Sequence, residues 1–233
     1  MSKSIIKKVL ILAAHPDDEI LGAYSYLCNK NYIAKSVFVC EGSTGRFGYK
    51  NLSDQAKSEI KLREKSAQLV ASTLGNESPI FLNFPNFSLS TLSVLEINNM
   101  VEPLIRDFTP DILITHSPLC NNLDHASVSI AISNLVRSNA YPSITSILHM
   151  EIPSSSEQSM SKQFSPNHFM NLTENQLEHK IEMLGLYGRE LQNDPAPRSN
   201  HGIRAYAAFR GLFAGTYYAE AFTIMRNTSA EWI

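Results

Sequence analysis

The chain contains 233 residues, of which 22 are acidic and 20 basic, so its formal net charge is −2. Hydrophobic residues make up 43% of the sequence, which excludes a disordered chain. The sequence has no basic run of the kind that neutralises nucleic-acid phosphates, and no apolar stretch near the roughly 20 residues of a membrane span. The composition therefore predicts a globular protein with no nucleic-acid partner and no transmembrane segment.

Short apolar runs alternate with longer segments of helical periodicity, the pattern of a mostly parallel sheet covered by helices. The runs predicted as strands are residues 9–14, 34–40, 79–84, 111–115, 144–152, 168–171 and 220–225. The segments predicted as helices are residues 19–29, 54–74, 91–108, 125–138 and 174–187, with a further helical stretch ending at Arg210. We expect Pro103 to bend or break the third of these helices.

Neither an internal repeat nor a domain boundary interrupts this alternation. The sequence therefore predicts one α/β domain over residues 1–233, a Rossmann-like three-layer sandwich with a mostly parallel sheet. Its three cysteines, Cys28, Cys40 and Cys120, fit neither a disulfide framework nor a cysteine zinc site. Because acidic residues directly follow the first apolar run, a signal peptide is not expected, and we predict a cytoplasmic protein.

The most informative segment is A-H-P-D-D-E at residues 14–19, where the first predicted strand ends and a helix begins. Ligands of open α/β sheets bind at the carboxyl ends of the strands. His15 and Asp18 are three residues apart, so a single turn can direct both at one centre. Asp17 between them must point somewhat differently, and it stays close to the metal without having to bind it. An N-cap explains one acid, but it does not explain a histidine followed by three acids.

A second polar segment, N-N-L-D-H at residues 121–125, follows the fourth predicted strand. Strands 1 and 4 are neighbours in a doubly wound sheet, so His125 can meet His15 and Asp18. Two histidines and one carboxylate leave an open coordination position, which suits catalytic zinc or a non-haem iron(II) site. Asp124 is predicted either to cap a helix or to orient a ligand.

These two segments, in this order, resemble the PIG-L/LmbE-like family of zinc-dependent N-deacetylases. The family hallmarks are an A-H-P-D-D-E motif after strand 1 and an H-x-D-H motif after strand 4. Residues 62–67 (L-R-E-K-S-A) and 219–222 (A-E-A-F) resemble two further family segments. Three other stretches resemble a bacterial branch associated with surface-polysaccharide sugars, namely residues 151–156, 164–167 and 197–199.

The resemblance implies the roles of the candidate site residues. The implied zinc ligands are His15, Asp18 and His125. Asp17 becomes the general base, and Arg63 a residue that faces the substrate. The implied reaction is hydrolysis of an N-acyl amide, for which zinc would lower the pKa of a bound water towards about 7.

One position departs from the family pattern. Asn122 stands where the family has the first histidine of H-x-D-H, the residue usually credited with stabilising the oxyanion. An amide can donate a hydrogen bond but supplies no proton, so a mechanism that needs a histidine acid there is in doubt. We predict that Asn122 is the oxyanion donor.

Three more residues are predicted to contact the substrate. Arg46 in the glycine-rich loop and Arg198 in P-R-S could each grip a phosphate or carboxylate, and His116 ends the fourth strand. The predicted substrate is a small amino sugar, whether free, nucleotide-linked or lipid-linked, in surface glycan biosynthesis. The cofactor is Zn²⁺, with Fe²⁺ as the alternative, and a homo-oligomer is compatible with the sequence.

Two alternatives stay open: an amidase acting on a thiol-containing glycoconjugate, and a non-catalytic carbohydrate-binding relative. The retained Asp17 argues against the second of these. A dinucleotide-binding oxidoreductase is disfavoured, because acidic residues occupy the turn where a pyrophosphate needs free backbone N–H groups.

Overall fold

The computed structural model describes residues 6–47, 53–137, 140–159 and 163–228. The strands in these ranges are β1 (Lys7–Ala13), β2 (Tyr32–Cys40), β3 (Ile80–Phe84), β4 (Ile112–His116), β5 (Ser146–Met150), β6 (His168–Leu172) and β7 (Tyr218–Asn227). The helices are α1 (Asp18–Leu27), α2 (Thr44–Phe47), α3 (Asp54–Leu74), α4 (Val94–Phe108), α5 (Leu123–Leu135), α6 (Glu174–Gly185) and α7 (Asn200–Ala214). None of the helices in the described ranges combines the length and apolar character that a bilayer span requires.

The seven strands form one sheet in the order β3-β2-β1-β4-β5-β7-β6. β1 pairs in parallel with β2 and with β4, and β5 continues the parallel part beside β4. β7 runs antiparallel to both β5 and β6. The sheet confirms the predicted α/β sandwich. Because the strand order reverses between β1 and β4, their carboxyl ends flank the crevice where such folds bind ligands.

Side chains of β1 alternate between two hydrophobic cores, one on each face of the sheet. Val9 and Ile11 pack in the core that also contains residues of α1, α6 and α7. Leu10 and Leu12 pack in the core formed with α4 and α5. Since both faces are covered, β1 is a continuous apolar run, which is why the sequence alone predicts a buried strand there.

Helix α4 differs from the expectation at its proline. It continues through Pro103 to Phe108, so the predicted break does not occur. Pro103 lies on the exposed side of the helix. The residues on the opposite side, Val101 and Ile105, are buried and hold both halves of the helix against the sheet. Packing therefore outweighs the local cost of the missing backbone hydrogen bond.

Helix α1 is interrupted at Ala23, whose backbone leaves the helical region (φ −141°, ψ 20°). A buried ion pair satisfies the backbone groups freed by this break. The Glu220 carboxylate accepts from the N–H groups of the next two residues, at 3.1 and 2.7 Å. Lys180 Nζ donates to Leu21 O at 2.8 Å and to Glu220 Oε1 at 2.6 Å. Glu220 and Lys180 therefore support the helix that begins at the A-H-P-D-D-E segment.

Lys180→Met is expected to destabilise the fold by about 3 kcal/mol, because it leaves the Glu220 carboxylate buried without its cation. Urea unfolding followed by circular dichroism measures the change. Lys57→Met is the control, since the Lys57–Asp54 pair is exposed and such pairs contribute only about 0–1 kcal/mol. Equal losses of stability in the two variants would contradict the supporting role of Lys180.

Candidate active site

Polar side chains from two loops meet at the carboxyl ends of β1 and β4. His15 follows β1, and Asp18 is the first residue of α1. His125 lies in the first turn of α5, which begins two residues before its predicted start. β1 and β4 are directly paired, with Leu12 beside Thr115 at the last registered position. The structure therefore brings together the three residues that the sequence proposes as ligands.

The three candidate ligand atoms form a nearly equilateral triangle. His15 Nδ1 lies 3.2 Å from His125 Nε2 and 3.3 Å from Asp18 Oδ2, and His125 Nε2 lies 3.3 Å from the same oxygen. Tetrahedral zinc with bonds of about 2.0–2.1 Å separates its ligand atoms by about 3.3–3.4 Å. The second carboxylate oxygen, Asp18 Oδ1, is buried and has no hydrogen-bond partner within the described chain. This donor set fits a divalent ion and leaves one coordination position open.

Neighbouring charges set the protonation of these three groups. Burial alone would raise the pKa of Asp18, but the His125 and His116 rings hold it well below its usual range. Burial lowers the pKa of His125 to about 3. His15 is also buried, yet hydrogen bonds with Asp124 and Asp18 raise its pKa to about 10. These directions favour the metal-binding forms of Asp18 and His125, whereas the acidic neighbours of His15 favour its protonated form, which competes with a metal.

A second set of contacts orients the two histidine rings. Asp124 Oδ2 lies 3.1 Å from His15 Nε2 and accepts from the Phe87 N–H at 2.6 Å. Asn86 Oδ1 lies 2.8 Å from the same His15 nitrogen. Of the two predicted roles of Asp124, the contacts favour orientation of a ligand. The His125 ring has a different partner on its far side, Cys120 Sγ at 3.2 Å from Nδ1.

His116 lies behind the ligand triangle. Its ring stacks on His125, with centroids 3.9 Å apart, and its Nε2 accepts from the Ala14 N–H at 2.8 Å. The residue is fully buried, at 0% exposure. The predicted contact of His116 with substrate does not fit this position, because no surface of the ring is accessible. His116 instead packs the His125 ring in place.

Asp17 belongs to neither group of candidate metal ligands in the described residues, and its carboxylate contacts arginines instead. Its backbone has an unusual positive φ of 132°, and its N–H donates to Glu19 Oε2 at 3.0 Å. Its carboxylate lies 2.8 Å from Arg198 Nη1 and 3.6 Å from Arg63 Nη1. Burial, reinforced by the nearby Glu190 charge, raises the pKa of Asp17 well above its usual range despite both arginines. Such a group can hold a proton near neutral pH.

Three arginines predicted to bind substrate converge on one buried carboxylate, Glu190, and we call them the arginine cluster: Arg46, Arg63 and Arg198. Arg46 contacts both Glu190 oxygens, at 2.7 and 3.2 Å. Arg198 Nη1 lies 3.0 Å from Oε2, and Arg63 Nη2 donates to Oε1. Burial opposes ionisation of Glu190, but Arg46 and the other two cations lower its pKa to about 2.

Sequence reasoning missed Glu190. The residue lies in a short 3₁₀ turn, Gly188–Glu190, and no motif surrounds it. The glycine-rich loop contributes room for the arginine cluster, because a Cβ on Gly42 would lie 2.8 Å from Arg63 Nη1, and Gly42 also has a positive φ of 77°. The loop therefore allows Arg63 to pack closely against its backbone. Arg46, which follows in the chain, contacts Glu190.

Asn122 is the N-cap of α5. Its Oδ1 accepts from the Asp124 N–H at 2.9 Å, and this bond holds Asp124 and His125 in the first helical turn. The residue is half-buried. The cap uses only the amide oxygen, so the amide NH₂ is the group that could donate to a substrate.

The fold and the site define an α/β protein with a two-histidine, one-carboxylate centre at the carboxyl ends of adjacent parallel strands. The chain belongs to the PIG-L (GlcNAc-PI de-N-acetylase) family, whose model matches residues 10–136, more than half of its length. A comparison with curated protein sequences found no significant match.

Solved structures with the same fold include enzymes of different chemistry. The N,N′-diacetylchitobiose deacetylase from Pyrococcus horikoshii is 20% identical, with a TM-score of 0.76 over 97% of this chain and 89% of that one. The zinc-inhibited form of teicoplanin deacetylase Orf2 is 12% identical, with a TM-score of 0.71 over 96% and 100%. GalB, the 4-carboxy-2-hydroxymuconate hydratase from Pseudomonas putida KT2440, is 17% identical, with a TM-score of 0.72 over 97% and 99%. These likenesses show the shared fold.

Proposed function

We propose that the protein is a metal-dependent hydrolase that removes an N-acyl group, an acetyl group in the first instance, from an amino sugar or sugar conjugate. The observation that carries the proposal is the ligand triangle of His15, Asp18 and His125, with Asp17 directly before Asp18 at the start of α1. Family membership supports an N-deacetylase activity. The resemblance of residues 151–156 to the polysaccharide branch supports a role in surface glycan biosynthesis.

Zn²⁺ is the proposed ion, with Fe²⁺ as the alternative for the same donor set. When bound, such an ion supplies Lewis acidity, which polarises a carbonyl and allows water to act as a nucleophile near neutral pH. The proposed compartment is the cytoplasm, and the unpaired Cys28, Cys40 and Cys120 support a reducing environment.

Residues of the chain itself would transfer the proton of the attacking water. Asp17 would accept the proton of the attacking water on its carboxylate and return it to the departing amine nitrogen. Arg198 and Arg63 hold that carboxylate from one side, so its orientation is set before substrate binds. The Asn122 amide would donate to the oxyanion of the tetrahedral intermediate. No acyl-enzyme is required, and we assign no role to a serine nucleophile.

Release of free amine tests the proposal. Purified protein with Zn²⁺ or Fe²⁺ is incubated with N-acetylated amino sugars and with their nucleotide conjugates, and amine and acetate are quantified. We expect equimolar amine and acetate from at least one substrate. Because GalB shows that this fold also hosts a hydratase, a product that gains water while keeping its acyl group would overturn the proposal. Binding without turnover would favour the non-catalytic relative.

Asn122→Ala is expected to lower kcat by about 10²-fold through loss of one oxyanion donor. The same change removes the α5 cap and costs about 1 kcal/mol of stability. Steady-state kinetics and urea unfolding measure the two effects separately.

Asn122→Asp separates the two roles, because an aspartate caps a helix as well as an asparagine but carries no amide donor. We expect this variant to keep wild-type stability and metal content while losing turnover. If a folded, metal-loaded Asn122→Ala protein turns over normally, Asn122 is a cap only.

A further inference from the structure

The peptide that joins Pro16 to Asp17 is held at both of its polar groups. Arg63 Nη1 donates to Pro16 O at 2.8 Å, and the Asp17 N–H donates to Glu19 Oε2 at 3.0 Å. Asp17 O in turn accepts from the Leu21 N–H at 3.0 Å and so begins the hydrogen-bond ladder of α1. The backbone around Asp17 is therefore fixed by hydrogen bonds that are separate from the contacts of its side chain.

The backbone conformation that these bonds hold is strained. Asp17 has φ 132° and ψ −27°, in a region that glycine adopts and that a side chain disfavours. A residue other than glycine persists there only where the surrounding structure over-determines its conformation, and such residues cluster at functional sites. Because the N–H of Asp17 is bound to Glu19 and its carbonyl to α1, the backbone cannot relax without breaking one of these bonds.

Glu19 is held in turn by Tyr187. The Tyr187 hydroxyl donates to Glu19 Oε1, while Glu19 Oε2 accepts from the Asp17 N–H. Both residues are buried, at 2% exposure for Glu19 and 3% for Tyr187, so bulk water does not compete for these bonds. Glu19 belongs to neither group of candidate metal ligands in the described residues, and the proton transfer proposed above uses neither side chain. The structure therefore connects Tyr187 to the backbone of Asp17 through one buried carboxylate.

Tyr187 directly precedes the 3₁₀ turn that carries Glu190. Glu190 contacts the two arginines that also contact the Asp17 carboxylate. This segment lies outside the part of the chain that the family model matches. Residues 187–190 therefore act on Asp17 in two ways, at its backbone N–H through Glu19 and at its carboxylate through the arginines.

We propose that Glu19 and Tyr187 are positioning residues for Asp17, which hold its peptide in the strained conformation and so give its carboxylate a single orientation. The inference rests on the proposed role of Asp17 as general base. Glu19 and Tyr187 act through the Asp17 backbone and contribute hydrogen bonds, not a charge or a proton. A carboxylate on a relaxed backbone would spend less time in the productive orientation, which lowers kcat.

Hydrogen exchange of the Asp17 amide, followed by NMR on the intact protein with Zn²⁺, tests the backbone contact without any need for turnover. The Leu10 amide in β1 is the internal reference, because it reports opening of the whole fold. Glu19→Leu removes the acceptor, and we expect Asp17 exchange at least about tenfold faster relative to Leu10. Tyr187→Phe removes only the hydroxyl that fixes Glu19 and should give an intermediate rate. This single-atom change carries the test if Glu19→Leu does not fold.

Amine release measures the catalytic consequence. Per metal-loaded chain, kcat should fall about tenfold or more in Glu19→Leu and less in Tyr187→Phe, with KM unchanged, since a displaced base affects the chemical step. Glu19→Gln should retain both turnover and slow exchange. Its amide oxygen accepts from the Asp17 N–H, and the Tyr187 hydroxyl can accept from its NH₂ group.

Tyr141→Phe is the matched control. Tyr141 is also a buried tyrosine, and its hydroxyl donates to a glutamate, Glu102 Oε1 on α4, at 3.0 Å. We expect this variant to lose some stability, while kcat and the exchange of the Asp17 amide relative to Leu10 stay at the wild-type values.

Three results would overturn the positioning role. The first is wild-type exchange of the Asp17 amide, relative to Leu10, in folded Tyr187→Phe and Glu19→Leu proteins. The second is normal kcat per metal-loaded chain in both variants, which would limit the contact to stability. The third is a loss of turnover in Glu19→Gln as large as in Glu19→Leu, which would assign the effect to the Glu19 charge. Failure of the deacetylase function is distinguishable, because the wild-type protein would then release no amine while the exchange rates still report on the Asp17 backbone.

Discussion

His125→Ala protein is expected to bind no stoichiometric divalent ion and to lose amide hydrolysis by at least about 10³-fold, since a bound ion supplies several kcal/mol of transition-state stabilisation. The His125 Nε2 atom is one corner of the ligand triangle, and removing it leaves two donors. Metal content after dialysis, measured by inductively coupled plasma mass spectrometry, and amine release check the two parts. His15→Ala should give the same result.

Two controls keep this prediction interpretable. His201→Ala removes an exposed histidine outside the site and should retain one ion per chain. His125→Gln fills most of the vacated volume, so a folded circular dichroism spectrum for it excludes loss of metal through unfolding. Wild-type metal content in folded variants of both His15 and His125 would show that the ligand assignment is wrong.

Loss of the ion in only one of the two histidine variants would point to a different set of ligand atoms. His15, Cys40 and Asp124 also offer three atoms within 4.8 Å of one another. If His15→Ala loses the ion while His125→Ala keeps it, this second group binds the metal, and Cys40→Ala would then release it. Burial raises the pKa of the Cys40 thiol far above its usual range, which disfavours the thiolate that a metal needs. We therefore expect Cys40→Ala to retain the ion.

Elements whose pattern follows directly from burial could be predicted from the sequence. β1 and β4 are covered on both faces and are continuous apolar runs, so their positions and parallel pairing are predictable. Of the predicted bend or break at Pro103, the break does not occur, because a local rule about proline competes with packing that only the folded chain reveals. The start of α5 at Leu123 depends on the Asn122 cap, which the pattern of apolar residues does not show.

Within the site, residues that lie close together in the sequence are easier to assign than residues that meet only through long-range contacts. His15, Asp17 and Asp18 lie in one turn, and the position of His125 follows from the adjacency of β1 and β4. Glu190 could not be found in this way, because it meets the arginine cluster through contacts with residues far away in the sequence, such as Arg46 at a separation of 144. The three arginines can be assigned to the site as polar residues near it, but the contacts that they share with Glu190 form only in the folded chain.

The contacts with Glu190 change the role that we assign to the arginine cluster. A free guanidinium binds phosphate or carboxylate bidentately, which is the basis of the substrate roles predicted for Arg46 and Arg198. In the structure Arg46 already forms two contacts with Glu190, and Arg198 bridges Glu190 and Asp17. The arginine cluster therefore positions the Asp17 carboxylate before any substrate arrives, and only Arg46, half-exposed, retains surface for a ligand.

Asp17→Asn is expected to retain the metal and to lose about 10²–10⁴-fold in kcat, the usual contribution of a general base. Asparagine is a close match in shape to the aspartate at this position, whose φ is positive. Its amide oxygen can still accept from Arg198, so the local structure should persist. Metal content, the melting curve and kcat together measure the effect.

Glu190→Gln is the matched comparison, since it neutralises the other carboxylate that contacts Arg63 and Arg198. Both variants remove one negative charge from the same cluster, but only Asp17 lies between two candidate ligands in the sequence and is proposed as the base. If Asp17 acts as the base, its variant loses far more turnover than Glu190→Gln, whose deficit comes from looser arginines. Equal losses would mean that the charge balance of the cluster matters and that the proton goes elsewhere. Near wild-type turnover in Asp17→Asn would exclude Asp17 as the base, whatever the behaviour of Glu190→Gln.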